Sequence, residues 1–381
     1  MTDKHIALIA PFGWAGVSTP IVSSVEYLHS FGYKIDLYYD KNEACNRMGL
    51  NEPLFNLDNV NIYFYDYKGE DILEEYIDLQ VNKKDLEFID FITSKDIDYD
   101  FLIGYDEEGL IRAGIYGLKN NIRFYYHSLE FYEREDQKKV AEKFFANKSE
   151  GIFTQDKYRA EILSQTLHVP ISKLSVVYNS TIGEPIFEKS DFFRDMFDID
   201  KDKKICLVTG TLMSITGVDK ILESFKNCSD EFVLVLHGWL PDRNIKECIE
   251  SAMKSNGGQI YYSNTILEHK DKFKIFASAD ISFVYYEPVN LNLKYAAWSS
   301  GKFFDSVRCG VPVIANNIPN MKTLVEDNGC GIVLDDFNEV QKAFENIMSN
   351  YEIYKKNCYK TYLKYDFKES FKNALGKDLK I

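Results

Sequence analysis

The stretch from Ala277 to Asn316, ASADISFVYYEPVNLNLKYAAWSSGKFFDSVRCGVPVIAN, decides how the rest of the chain is read. It predicts a buried strand from Ile281 to Tyr286, a polar loop, a short helix opening at Ser299 or Ser300, and a second buried strand from Val311. A loop feeding a helix N-terminus at the carboxyl edge of a parallel sheet is a natural anion site. The first helical amides have no intrahelical partner there, and the helix dipole is positive. Lys302 in the first turn adds a full positive charge, and Asp305 falls one turn on, on the same face. A cation beside free amides suits a diphosphate, and a neighbouring carboxylate accepts hydrogen bonds from ribose or sugar hydroxyls. A capped, solvated helix has the same spacing, so spacing alone leaves both open.

Composition sets the frame. At 381 residues the chain exceeds a typical single domain, and 45% hydrophobic content supports a sizeable core. A net charge of −14 and a pI near 5.0 argue against nucleic acid as a partner, although a few placed donors still bind a phosphate locally. Seven scattered cysteines, Cys45 among them, form neither a CxxC pair nor a zinc spacing, and a reducing cytoplasm is expected. The opening MTDKHIALIAPFGWAG has too short an apolar stretch for a signal peptide, because Pro11 and Gly13 break it. No window approaches the roughly 18 apolar residues that span a bilayer. The histidines at 5, 29, 168, 237 and 269 show no HExxH spacing, and no metal is expected.

Strands and helices alternate as in parallel α/β proteins. Expected strands are His5–Ala10, Lys34–Tyr39, Phe101–Tyr105, Ile122–His127, Gly151–Thr154 and Leu174–Tyr178, with a polar, aromatic-rich stretch from Tyr39 to about Lys68. A helix is expected from about Pro20 to Phe31, another through Leu86–Thr93, and a long charged one ending near Lys148. The second half repeats the style, with strands Ile205–Thr209, Phe232–Gly238 and Gln259–Tyr262 and helices Gly217–Lys226 and Ile245–Lys254. Gly183 and Pro185 interrupt both periodicities and mark a linker. PFGWAG, Pro11 to Gly16, is not the GxGxxG of nicotinamide-binding proteins.

The segment that opened this section resembles the nucleotide-sugar signature of GT-B glycosyltransferases, particularly the retaining family 4 enzymes. The matching pieces are Ala279-Asp280, Tyr286-Glu287-Pro288, Asp305 and Gly310-Val311-Pro312-Val313-Ile314; Gly301-Lys302-Phe303-Phe304-Asp305 is similar to the "N-K-L-F-E" variant. Asp305 stands five positions before Gly310, where the family places the Glu that holds the donor ribose. LSVVYNSTIGEP (Leu174 to Pro185), LVTGTLMSITGVDKILESF (Leu207 to Phe225) and VLHG (Val235 to Gly238) extend the resemblance over most of the chain.

The resemblance implies an α/β GT-B fold, two Rossmann-like domains facing each other across a cleft. Residues 1–183 would form the acceptor domain, 184–360 the nucleotide-sugar donor domain, and 361–381 a C-terminal helix packing back on the first. It implies a metal-independent, retaining transfer of a sugar, from a UDP-sugar in first place, to a glycan, lipid-linked or protein acceptor. The setting would be bacterial surface-glycan assembly, in the cytoplasm or at the inner face of the membrane, with a partner transferase or a homo-oligomer as further company. His127, Glu130 and Lys302 are the expected catalytic residues. His127 sits where the family has a functional histidine, and Glu130 either orients it, receives acceptor hydroxyls or caps a helix. Donor contacts are expected from Gly13, Gly16, Gly210, Thr211, Tyr286, Glu287, Ser299, Ser300, Gly301, Lys302 and Asp305. Trp14, Tyr132 and Trp298 are candidate sugar-stacking rings, and the loop Ser263–Leu267 a candidate for the base.

Two departures stand out. The acid that the family places eight positions before the ribose acid falls on Ala297, while Glu287 lies eighteen before Asp305. The Arg and Lys that neutralise the diphosphate on the first strand-to-helix turn of the donor domain correspond to Thr211 and Thr216. The leaving diphosphate then relies on Lys302, helix amides and hydroxyls. From another class, the alternative is a non-catalytic GT-B subunit that binds or stabilises a partner transferase.

Overall fold

A computed structural model describes residues 4–42, 57–255, 258–267 and 271–376, so Cys45 and His269 lie outside the described residues. The chain divides into two compact units, residues 1–182 with 367–381, and residues 183–366.

In the first unit seven parallel strands run in the order β3-β2-β1-β6-β7-β8-β9. They are β1 His5–Ala10, β2 Lys34–Asp40, β3 Val60–Tyr65, β6 Phe101–Tyr105, β7 Arg123–His127, β8 Ile152–Thr154 and β9 Leu174–Val176. HIALIA and FLIGY are nearly continuous apolar runs because helices cover both faces of this sheet. The strand order reverses between β1 and β6, where Ile9 pairs with Gly104, and that reversal opens a crevice at the carboxyl edge. Phe367, Phe371 and Leu375 of the last helix, Phe367–Leu375, sit in this unit's core beside Val25, Tyr27 and Leu28.

Three features differ from expectation. The stretch after β2 contains a full strand, β3, in register with β2 from Ile35↔Val60 to Asp40↔Tyr65. An antiparallel hairpin, β4 Leu73–Tyr76 with β5 Leu79–Asn82, precedes the helix Lys83–Thr93. A fifteen-residue helix, Asp106–Asn120, links β6 and β7. Its sequence hides it, since Gly109, Gly114 and Gly117 weaken helix propensity by roughly 1 kcal/mol each. Packing requires those glycines. A Cβ would come within 2.5 Å of the Ile9 carbonyl at Gly109, 2.2 Å of the Phe145 ring at Gly114 and 2.7 Å of the Ile122 carbonyl at Gly117. On the same helix the fully buried Arg112 donates to Asp85 at 2.7 Å and to Asp40 at 2.5 Å.

The second unit has six parallel strands in the order β12-β11-β10-β13-β14-β15. They are β10 Lys204–Thr211, β11 Phe232–Trp239, β12 Ile260–Ser263, β13 Ile281–Val284, β14 Val313–Asn316 and β15 Gly331–Leu334. The reversal of order falls between β10 and β13, so the segment first quoted lies at this sheet's switch point. Its strands end sooner than expected, β13 at Val284, with β14 starting at Val313. The helix Tyr351–Lys364 closes the unit, its Tyr362 hydroxyl donating to the Gly183 carbonyl at 2.8 Å.

Candidate functional site

In the first unit the loop after β1 and the ends of β6 and β7 share the carboxyl edge. Gly13 is required because a Cβ would lie 2.2 Å from that of Asn42; Gly13 and Gly16 are both buried. Phe12 and Trp14 stack at 4.3 Å, leaving the Trp14 indole partly open to solvent. His127, the last residue of β7, is fully buried between Tyr105, 5.3 Å away, and the Phe153 ring, met edge-on at 5.8 Å. Among the described residues neither of its ring nitrogens has a hydrogen-bond partner. Burial pushes its pKa down to about 3, so the ring is neutral at working pH. A buried polar ring left unsatisfied is costly and belongs to the features that mark functional sites.

Sequence reading missed Asp106, at the switch point beside β1. It is buried, adopts φ +56°, and accepts the Leu129 and Glu130 amides at 2.8 and 2.9 Å. Burial first, then the Glu130 charge, raises its pKa to about 7. Asp106 thus holds the loop that follows His127. Arg159 helps by donating to the Leu129 carbonyl at 2.7 Å, and Gln155 to that of Ser128 at 2.9 Å. Glu130 caps no helix, since the next one starts at Gln137 with Asp136 as its cap. Its side chain is exposed and makes no hydrogen bond to His127. Tyr132 carries the Arg134 guanidinium over its ring at 5.1 Å.

In the second unit the helix Gly301–Arg308 begins as expected, with Ser300 accepting the Phe303 amide at 3.3 Å. Ser300 is buried and also meets the Tyr286 hydroxyl at 2.8 Å, so its hydroxyl is spent on architecture. Ser299 turns back to the Ala296 carbonyl at 3.3 Å. Lys302 lies over the Tyr286 ring, 4.9 Å from its centre, and has no anionic partner among the described residues. Desolvation lowers its pKa to about 8. Asp305 is buried, with one oxygen paired to Lys272 at 2.6 Å and the other, Oδ1, without a hydrogen-bond partner among the described residues.

Tyr286 is fixed by Asn316, which accepts its amide at 2.9 Å and donates to its carbonyl at 2.8 Å. Glu287 is already engaged, accepting from Lys220 at 2.6 Å and the Tyr285 hydroxyl at 2.9 Å; the Lys220 hydrogen bond holds its pKa below the usual range. The turn after β10 is built around Gly210, φ +100°, and Gly217, φ +76°, where a Cβ would lie 2.3 Å from the Tyr285 ring. Within that turn the Thr216 hydroxyl accepts the Met213 amide at 3.1 Å and lies 2.8 Å from the Thr211 carbonyl. Thr216 is therefore a staple of the turn. Lys302, Tyr286, Ser300, Gly301 and Glu287 are gathered on the side of the switch point that follows β13, with Gly210 and Thr211 at the end of β10. Trp298 is buried against Tyr365 at 4.6 Å and is core.

Lys272 and Asn316 were not anticipated, since each acts on a partner thirty or more positions away in sequence. A polar recess of about 680 Å³ opens at the opposite, amino edge of this sheet, by Asp200, Lys203, Asp230 and Tyr261, and no anticipated site residue lines it. Among the described residues no group of three or more His, Cys, Asp or Glu is placed to hold a metal ion, and no helix is long and apolar enough to cross a membrane.

No protein-family model and no curated protein matches the chain. Solved structures do match. Anabaena HepE in complex with UDP and glucose superposes with a TM-score of 0.71 at 11% identity, over 98% of this chain and 99% of that one. Sucrose-phosphate synthase from Thermosynechococcus elongatus gives 0.66 at 14%, over 95% and 94%. A glycosyltransferase from Rickettsia africae gives 0.69 at 13%, over 99% and 100%. At such identities the likeness is one of fold, and the fold is that of the GT-B glycosyltransferases, two Rossmann-like halves each built on a parallel sheet.

Proposed function

We propose that this chain is a retaining, metal-independent glycosyltransferase. It moves a sugar from a nucleotide diphosphate sugar, a UDP-sugar in first place, to a glycan, lipid-linked or protein acceptor in bacterial surface-glycan assembly, in the cytoplasm or at the inner face of the membrane. The observation that carries the reading is Lys302: a half-buried ammonium over the Tyr286 ring, with no anionic partner among the described residues, in the first turn of a helix, at the switch point of a parallel sheet. Such a group fits an anion that arrives from outside the chain. The HepE structures, which hold UDP and UDP-glucose, support the donor class.

In the step proposed, the bond from the anomeric carbon to the β-phosphate oxygen breaks and its electrons leave with the diphosphate. The acceptor oxygen bonds to the same face of that carbon, and its proton passes to the departing phosphate oxygen. Lys302 and the amides of Gly301 and Lys302 would stabilise the developing charge, usually the largest single contribution to such catalysis. Asp305 Oδ1 would take a ribose hydroxyl. His127, neutral, is assigned to orient the reacting sugar or acceptor by hydrogen bonding.

A second reading, a non-catalytic subunit, is favoured by one observation. The turn that carries basic residues in family 4 enzymes carries Thr211 and Thr216, and the Thr216 hydroxyl is occupied within the turn. Incubating the isolated chain with UDP-glucose and candidate acceptors, with EDTA present, and measuring released UDP separates the two. Release abolished by Lys302→Ala supports the transferase; UDP binding without release under any acceptor supports the subunit.

A further inference from the structure

Three large apolar side chains of the second unit face solvent beyond the carboxyl ends of β11, β12 and β13. They are Trp239 at the end of β11, 61% exposed, with Ile266 after β12 and Val289 after β13. Only Trp239 is aromatic. Its indole has no ring neighbour and no hydrogen bond among the described residues, yet its backbone is firmly held. Thr211 and Trp239 pair in register, and the Trp239 carbonyl accepts the Leu212 amide at 2.8 Å.

Beside it lie two residues without side chains. Gly210 and Gly238 are register partners with positive φ. A Cβ on Gly238 would lie 1.9 Å from the Gly210 carbonyl oxygen, whereas one on Gly210 would meet nothing within 4 Å. The edge of the sheet is therefore bare peptide with open space above Gly210, flanked by a fixed, solvent-facing indole. The loop after β12 is pinned on the far side of β11. Ser263 Oγ meets His237 Nδ1 at 3.2 Å and Thr265 Oγ1 at 3.3 Å.

We propose that Trp239 is the stacking platform for the donor's nucleobase, with the bare Gly210–Gly238 edge lying beneath the nucleoside. The inference rests on the donor reading given above and adds the residue that grips the base. Spacing agrees with it. Adjacent strands lie about 4.8 Å apart, so β11 and β13 stand about 10 Å apart across β10, on the scale of a nucleoside from its base to its diphosphate. The helix that carries Lys302 follows β13, and Trp239 ends β11, which places the two grips at opposite ends of such a ligand.

Stacking of one base on an aromatic side chain corresponds to roughly 5- to 150-fold in affinity. UDP binding is measured by calorimetry on the full chain, with Trp239→Ala, Trp239→Phe and Lys302→Ala. Pyrophosphate serves as the ligand without a base. Trp239→Ala is expected to weaken UDP at least 5-fold without changing pyrophosphate affinity, and Trp239→Phe, which keeps a ring, to restore most of the loss. Indole emission should be quenched by UDP in the wild type and not in Trp239→Phe. UDP bound in a Lys302-dependent way, with equal affinity in Trp239→Ala, overturns the platform and leaves the donor site standing. No nucleotide binding to the wild type overturns both.

Discussion

Replacing Lys302 by methionine separates what the residue does for the ligand from what it does to the fold. A unit charge about 4 Å from a phosphate at an effective dielectric near 20 interacts by about 4 kcal/mol, and charge-assisted hydrogen bonds net roughly 1.5–3 kcal/mol. A loss of about 2–3 kcal/mol is the reasonable net, so the Kd for UDP should rise about 30- to 150-fold. Stability should move the other way. The folded pKa, about 8, lies below the ordinary 10.5, so the charged form is penalised by folding. That penalty is fully present below pH 8 and vanishes above the unfolded pKa. Its linkage value of about 1.4 kcal/mol per unit sets an upper bound of about 3 kcal/mol. Lys302→Met should therefore be more stable than wild type at pH 7 and no more stable above pH 10.5, by thermal or urea unfolding. In the wild type UDP affinity should fall as pH rises through 8. Unchanged UDP affinity in the variant, or a variant less stable at pH 7, would refute this account of the residue.

Other expectations follow from single residues. His127→Phe should keep stability within about 1 kcal/mol, because it removes two unsatisfied buried nitrogens, yet lower kcat at least tenfold; the wild-type pH–rate profile should show no limb near 6.5, as the imidazole titrates near 3. Asp106→Asn keeps the acceptor for the Leu129 and Glu130 amides. Because the carboxyl's folded pKa of about 7 lies above the unfolded 3.8, wild-type stability is fully supported below 3.8 and lost as pH rises to 7. The asparagine variant should accordingly gain on wild type over that window, by up to about 4 kcal/mol in urea unfolding. Arg112→Leu strands Asp85 and Asp40 and should cost about 3–5 kcal/mol in the same assay, with much of the loss recovered when both acids are also neutralised.

The donor segment was legible because its chemistry is local. A capping serine, a lysine in the first turn and the glycine and proline that lead into the next strand all fall between Ser300 and Pro312, and Ser300, Gly301 and Lys302 stand at the start of the helix. What lay out of reach is long-range pairing. Lys272, thirty-three positions upstream of Asp305, holds one of its oxygens and leaves Oδ1 for a ligand, a pairing that no local pattern shows. Glu287, an expected donor contact, accepts from Lys220, sixty-seven positions away, and from the Tyr285 hydroxyl, and the Lys220 pairing is likewise invisible locally. Glycines within Asp106–Asn120 disguise that helix, and their reason is contact with β1 and neighbouring rings, which no local pattern encodes. Asp106 reads as an ordinary helix-start acid; only its positive φ and the two amides from a loop more than twenty positions away set it apart.

The central claim is that the second unit holds a nucleotide diphosphate through Lys302 and Asp305. Calorimetric titration of the chain with UDP, GDP, ADP and CMP, repeated in Lys302→Ala and Asp305→Ala, tests it most directly. The account predicts selective binding of one diphosphate, UDP first, lost in both variants. Binding of none of the four, or binding that survives both substitutions, would contradict it.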